Sequence, residues 1–114
     1  MANSVLFAGV PVTDFPRSLD WYARLFGRDP DVVAHEREVM WQVTDGGWAY
    51  IVEQPERAGG SLVAIAVDDL QAALDELDRR GLRGGPIEVQ GEGARKATLT
   101  DPDGNVVAFL EVPQ

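Results

Sequence analysis

The sequence predicts an α+β fold, in which two βαβββ modules form a curved, mostly antiparallel sheet with a concave ligand-binding face. Three observations predict it. Segments 6–27 and 61–81 share one order: an apolar run, an acidic turn, then an amphipathic run ending in glycine. Val12-Thr13-Asp14-Phe15 aligns with Val67-Asp68-Asp69-Leu70, and Leu19 and Tyr22 then fall on Leu74 and Leu77. After each segment come three short runs suited to strands, separated by turn residues. The 114 residues, 45% hydrophobic and 25% charged, suit one domain spanning 1–114. Its modules cover about 4–53 and 61–112, with 54–60 as connector.

The first strand places Phe7, Gly9 and Pro11 on one face and Ala8, Val10 and Val12 on the other. Phe15, Leu19, Tyr22 and Phe26 recur at helical spacing and form one apolar stripe. Asp14 is placed to cap that helix, because a short carboxylate accepts the free amides of the first turn. Gly27 stands where a left-handed residue ends it. The runs VVAH, VMWQV and WAYIVE are the next three strands, with Asp45-Gly46-Gly47 as the last hairpin turn.

In the second module, Val63, Ile65 and Val67 alternate with Leu62, Ala64 and Ala66. Leu70, Ala73, Leu74 and Leu77 form the second helical stripe, capped by Asp68 or Asp69 and ended by Gly81. IEVQ, KATLT and NVVAFLEV are its strands, and Asp101-Pro102-Asp103-Gly104-Asn105 is a tight turn. The bulky alternate positions pack under the helices. The small ones, Gly9, Ala64, Ala66 and Ala108, leave a hollow on the other face. Such a hollow suits a ligand pocket, or else a place for an extension or partner to fill.

A formal charge of −9 argues against nucleic acid, where phosphate contacts dominate affinity. It is compatible with a cationic ligand, but its plainer reading is solubility. The chain has no cysteine, which excludes disulfides and thiol chemistry. No apolar stretch is long enough to span a bilayer, and the N-terminal run lacks the basic start of a signal peptide. A cytoplasmic location and no membrane partner are the expectation.

The segments VPVTDFPRSLDWYARLFG, VAIAVDDLQAALDELDRRG and DPDGNVVAFLEV resemble the vicinal oxygen chelate superfamily of glyoxalase I, bleomycin resistance proteins and extradiol dioxygenases. The resemblance implies a divalent metal held by histidine and glutamate from both modules. The matching positions here are Phe7, Leu62 and Ala108, with Tyr50 as the fourth and Glu53 as its alternative in a shifted alignment. Phe, Leu and Ala offer no donor, and oxygen-philic metals need several carboxylate or imidazole ligands. The resemblance that survives is to the bleomycin-resistance-like binding proteins, which bind a small molecule between two subunits. It implies no metal, no cofactor, no catalytic residue and a homodimer. An enzyme of the same fold, a glyoxalase-like lyase or dioxygenase with a relocated metal site, is the alternative. An interaction module with a filled hollow is a third reading.

Other chemistry finds little footing. His35 is the only histidine and lies among charged residues. Ser4, Ser18 and Ser61 have no nucleophile-elbow setting. The paired carboxylates Asp68-Asp69, Asp75-Glu76 and Asp101/Asp103 read as cap, solvated face and turn. GEGARK (91–96) lacks the strand-loop-helix context of a phosphate loop and reads as a hairpin over the hollow, with Arg95 at its rim. Trp41, Trp48 and Tyr50 lie in strands that wall the hollow. They suit stacking on a planar or cationic ligand, or packing in core and interface. The expected ligand contacts are therefore Phe7, Trp41, Trp48, Tyr50, Leu62, Ala108 and Arg95.

Overall fold

Asp14 and Asp69 start the two helices. A computed structural model describes residues 2–113. It runs β1 (Leu6–Val12), α1 (Phe15–Phe26), β2 (Val32–His35), β3 (Glu38–Thr44), β4 (Gly47–Glu53), a 3-10 turn (Pro55–Arg57), β5 (Leu62–Ala66), α2 (Leu70–Arg79), β6 (Glu88–Gln90), β7 (Ala94–Thr100) and β8 (Val106–Glu111). The Asp14 carboxylate accepts from the Arg17 amide at 3.1 Å, and Asp69 accepts from Ala72 at 3.0 Å. Each satisfies an amide that the first helical turn leaves free. Gly27, at φ 76°, takes the left-handed turn that ends α1, and its N–H reaches the Ala23 carbonyl at 2.8 Å. No helix among the described residues is long and apolar enough to cross a membrane.

Both modules have the expected βαβββ order. Their strands form two four-stranded mixed sheets, ordered β1-β4-β3-β2 and β5-β8-β7-β6. In each sheet the first pair is parallel and the rest are antiparallel. β1 and β5 are thus free edges, and the two sheets do not join within the chain.

The modules meet through their helix-bearing faces. One buried cluster takes Val10, Val12, Tyr22 and Ile51 from the first module and Leu77, Leu99, Val107 and Phe109 from the second. Polar contacts cross the same boundary. The Tyr22 hydroxyl donates to Asp101 at 2.8 Å, and the Arg80 guanidinium donates to the carbonyls of Arg24 and Leu25. The 101–105 turn braces the junction. Asp101 accepts from the amides of Asp103 and Asn105, and the Asn105 side chain accepts from the amides of Gly59 in the connector and Ser61 just before β5 and donates to the Pro11 carbonyl of β1. With both helix faces used in one core, the opposite face of each sheet is turned outward.

Candidate functional site

Strand register defines what each outward face presents. In the first sheet Phe7 lies beside Trp48 and Gly9 beside Tyr50, so these four share one face with Met40 and Gln42 of β3. The Phe7 and Trp48 rings are 6.3 Å apart and tilted by 31°. Phe7, the second residue of β1, is 51% exposed and marks an uncovered aromatic surface. Tyr50 leans over Gly9, and a Cβ on Gly9 would lie 2.5 Å from the Tyr50 Cζ and hydroxyl oxygen. Glycine is required there for close approach, not for backbone conformation.

In the second sheet the outward face has three rows. Leu62, Val106 and Thr100 form one, Ala64, Ala108 and Thr98 the next, and Ala66, Leu110 and Lys96 the third. Leu62 is 72% exposed. Ala108 is on the expected face but only 3% exposed, so its methyl lies at the bottom of the surface. A groove of ≈ 250 Å³ lies where the modules adjoin, lined by Leu6, Ala8, Trp48, Val63 and Ala66 among others.

Two of the expected ligand contacts are corrected. Trp41 faces the core: it is fully buried, packs on Phe26 with ring centroids 5.1 Å apart, and donates its indole N–H to the Arg28 carbonyl at 3.0 Å. Strand alternation puts it opposite the Trp48 and Tyr50 side of the sheet. Arg95 pairs in register with Glu111, on the same side as Ala97 and Leu99 of the core, and its Nε lies 3.5 Å from the Glu111 carboxylate. Phe7, Trp48, Tyr50 and Leu62 stand on outward faces as expected. Lys96, one residue from Arg95, stands instead on the outward face of the second sheet, in the row of Leu110 and Ala66. Pairing KATLT against NVVAFLEV by alternation carries the signal that identifies it.

The positions where a metal is expected do not fit one. Phe7, Leu62 and Ala108 supply no donor, and Tyr50 supplies one phenol. Glu53 is on the Ile51 side of β4, bound to Arg37 at 2.6 Å. Glu111 accepts from the Leu70 amide at 2.7 Å, on the helix face. His35 is exposed, 3.6 Å from Glu38. Among the described residues no three His, Asp or Glu side chains converge as a metal site. The arrangement can bury and stack an apolar or planar molecule.

Two repeated βαβββ modules, each with a four-stranded mixed sheet whose outer face is turned away from a shared core, define the class of fold. Residues 4–109 match the model of the Glyoxalase/Bleomycin resistance protein/Dioxygenase superfamily, and the chain belongs to that family. It is similar to the crystal structure of a glyoxalase / bleomycin resistance protein from Catenulispora acidiphila, with 44% identity over 97% of this chain and 100% of that one, at a TM-score of 0.91. TnmS3, an antibiotic binding protein from Streptomyces sp. CB03234, shares the fold at 23% identity and TM-score 0.76, over 98% of both chains. A bleomycin-binding protein complexed with bleomycin shares it at 20% identity and TM-score 0.78, over 97% of this chain and 100% of that one. No curated protein matches the chain.

Proposed function

We propose that this protein binds and sequesters a planar or cationic small molecule, an antibiotic or a metabolite, without a metal ion, as a cytoplasmic homodimer. The observation that carries the reading is the aromatic patch of exposed Phe7 with half-buried Trp48 and Tyr50, in which Phe7 and Tyr50 stand at positions where donor atoms would be needed for metal chemistry. Flat rings with polar tips stack on planar ligands and attract cations across their faces. The charge of −9 adds long-range attraction for a cation. Sequestration needs affinity alone, so the absence of a donor set is no handicap. The fold-sharing antibiotic binders support the antibiotic class.

The free edges support the dimer. β1 and β5 each leave one side unpaired, and these edge strands carry the exposed Leu6 (73%), Phe7 and Leu62. An open apolar edge invites another strand. Pairing β1 of one subunit with β5 of another would make the two hollows continuous and would cover these side chains.

Titration of intrinsic tryptophan fluorescence with bleomycin, and with planar cationic dyes, tests binding. Saturable quenching with a Kd of about 10 μM or tighter is expected, reduced in Trp48→Phe. Sizing by light scattering tests the dimer, and elemental analysis of protein purified without chelator tests metal-free binding. A stoichiometric divalent ion, or no quenching with any planar ligand, would overturn the reading.

A further inference from the structure

We infer that Lys96 is an anion-binding residue on the outward face of the second sheet, so that the molecule held there carries an acidic group beside an apolar body. The inference rests on the reading above that the protein binds a small planar molecule, in its planar and not its cationic form, and names the chemistry of that ligand. Lys96 is the only lysine in the chain. Among the described residues three cationic side chains are half-buried: Arg80, Arg95 and Lys96. Arg80 is held by Glu76 at 3.0 Å and Arg95 by Glu111 at 3.5 Å. Lys96 has no ion pair and no side-chain hydrogen bond among the described residues, although the chain carries 19 acidic residues. Glu88 stands opposite it in the β6–β7 register, but it is exposed and makes no ion pair with it.

A cation that no acidic side chain of the described residues pairs with is open to pair with an outside anion. Its surroundings say which kind. Leu110 and Ala66 continue its row, and Ala64, Ala108 and Thr98 form the row beside it. Small apolar side chains with one hydroxyl and one free cation match a compact hydrophobic acid. The carboxylate, sulfonate or phenolate would meet Lys96, and the hydrocarbon would lie over the alanines. The net charge of −9 disfavours a small bare anion, so apolar burial must supply the rest of the affinity.

A matched pair of fluorescent probes tests this. 1-Anilinonaphthalene-8-sulfonate and N-phenyl-1-naphthylamine share one ring system, and only the first is an anion. The wild-type protein should bind the sulfonate more tightly. Lys96→Met should weaken the sulfonate about tenfold and leave the amine within about twofold, while Lys96→Arg keeps most of the sulfonate affinity. Unchanged thermal unfolding of both variants separates the loss from misfolding. Equal binding of both probes, unaltered in Lys96→Met, would overturn the assignment of Lys96 and leave the binding reading standing. If neither probe binds the wild-type protein, the assignment of Lys96 falls, and the titrations with bleomycin and cationic dyes decide the binding reading.

Discussion

Gly9 and Tyr50 are register partners on β1 and β4, and the Tyr50 ring occupies the space that a side chain on Gly9 would take. Gly9 has no positive φ, so alanine fits its backbone. The clash would fall on the far end of a flexible side chain, which can swing aside. Gly9→Ala should therefore change stability by less than about 1 kcal/mol and re-aim the Tyr50 ring. Affinity for a planar ligand should fall about tenfold, equivalent to about 1.4 kcal/mol. Fluorescence titration beside thermal unfolding reads both quantities, and undiminished affinity would remove Tyr50 from the site.

Trp41 and Trp48 are seven positions apart in sequence and on opposite faces of one sheet. Trp41 is fully buried against Phe26 and Tyr22, so Trp41→Ala should cost about 3–5 kcal/mol in a denaturant titration. Trp48 stacks beside exposed Phe7, and Phe7→Ala should leave stability within about 1 kcal/mol while weakening binding. The opposite assignment of losses would mean that the hollow lies on the other face.

Much of this was legible in the sequence, and the reasons differ by element. The caps and turns use local chemistry, so Asp14, Gly27 and the 101–105 turn stand where spacing places them. In β5 and β8, alternation of bulky and small residues identified the outward face. VMWQV resists such a reading because Val39, Met40, Trp41 and Val43 are apolar on both faces, so tertiary packing on α1 decides which side Trp41 takes. Arg95 and Lys96 are adjacent cations, and one residue of register separates the core side from the outward face. The partition into two sheets depends on contacts such as Tyr22 with Asp101, 79 residues apart, for which no local pattern exists.

That Tyr22–Asp101 contact makes stability depend on pH in the alkaline range. Burial, followed by the Asp101 carboxylate, pushes the Tyr22 phenol far above its ordinary value near 10. A group whose folded pKa is raised favours the folded state fully below its unfolded pKa. Its contribution is then lost as pH climbs from there toward the folded value. Stability should fall above about pH 10 by up to about 1.4 kcal/mol per pH unit from this residue. Tyr22→Phe should lose about 1 kcal/mol at neutral pH and flatten that part of the slope. Chemical denaturation at pH 7 and at pH 10 to 11 measures it, and parallel profiles for the two proteins would contradict the account.

Ser18 presents the reverse case, a polar group whose removal should help. It lies within α1, one turn before Tyr22, and is fully buried, yet its hydroxyl has no hydrogen-bond partner. Its own backbone amide already donates to Asp14 in the helix. An unpaired buried hydroxyl carries a desolvation cost, and serine is a poorer helix former than alanine. The two effects have the same sign, and the small void left by one oxygen opposes them weakly. Ser18→Ala should therefore raise stability by about 1 kcal/mol, or the melting temperature by about 4 °C. Because Ser18 faces the core and not either hollow, ligand titration should be unchanged. A destabilised Ser18→Ala protein would show that the hydroxyl has a partner in solution, an ordered water being the simplest, and that the junction between the modules is wetter than its packing indicates.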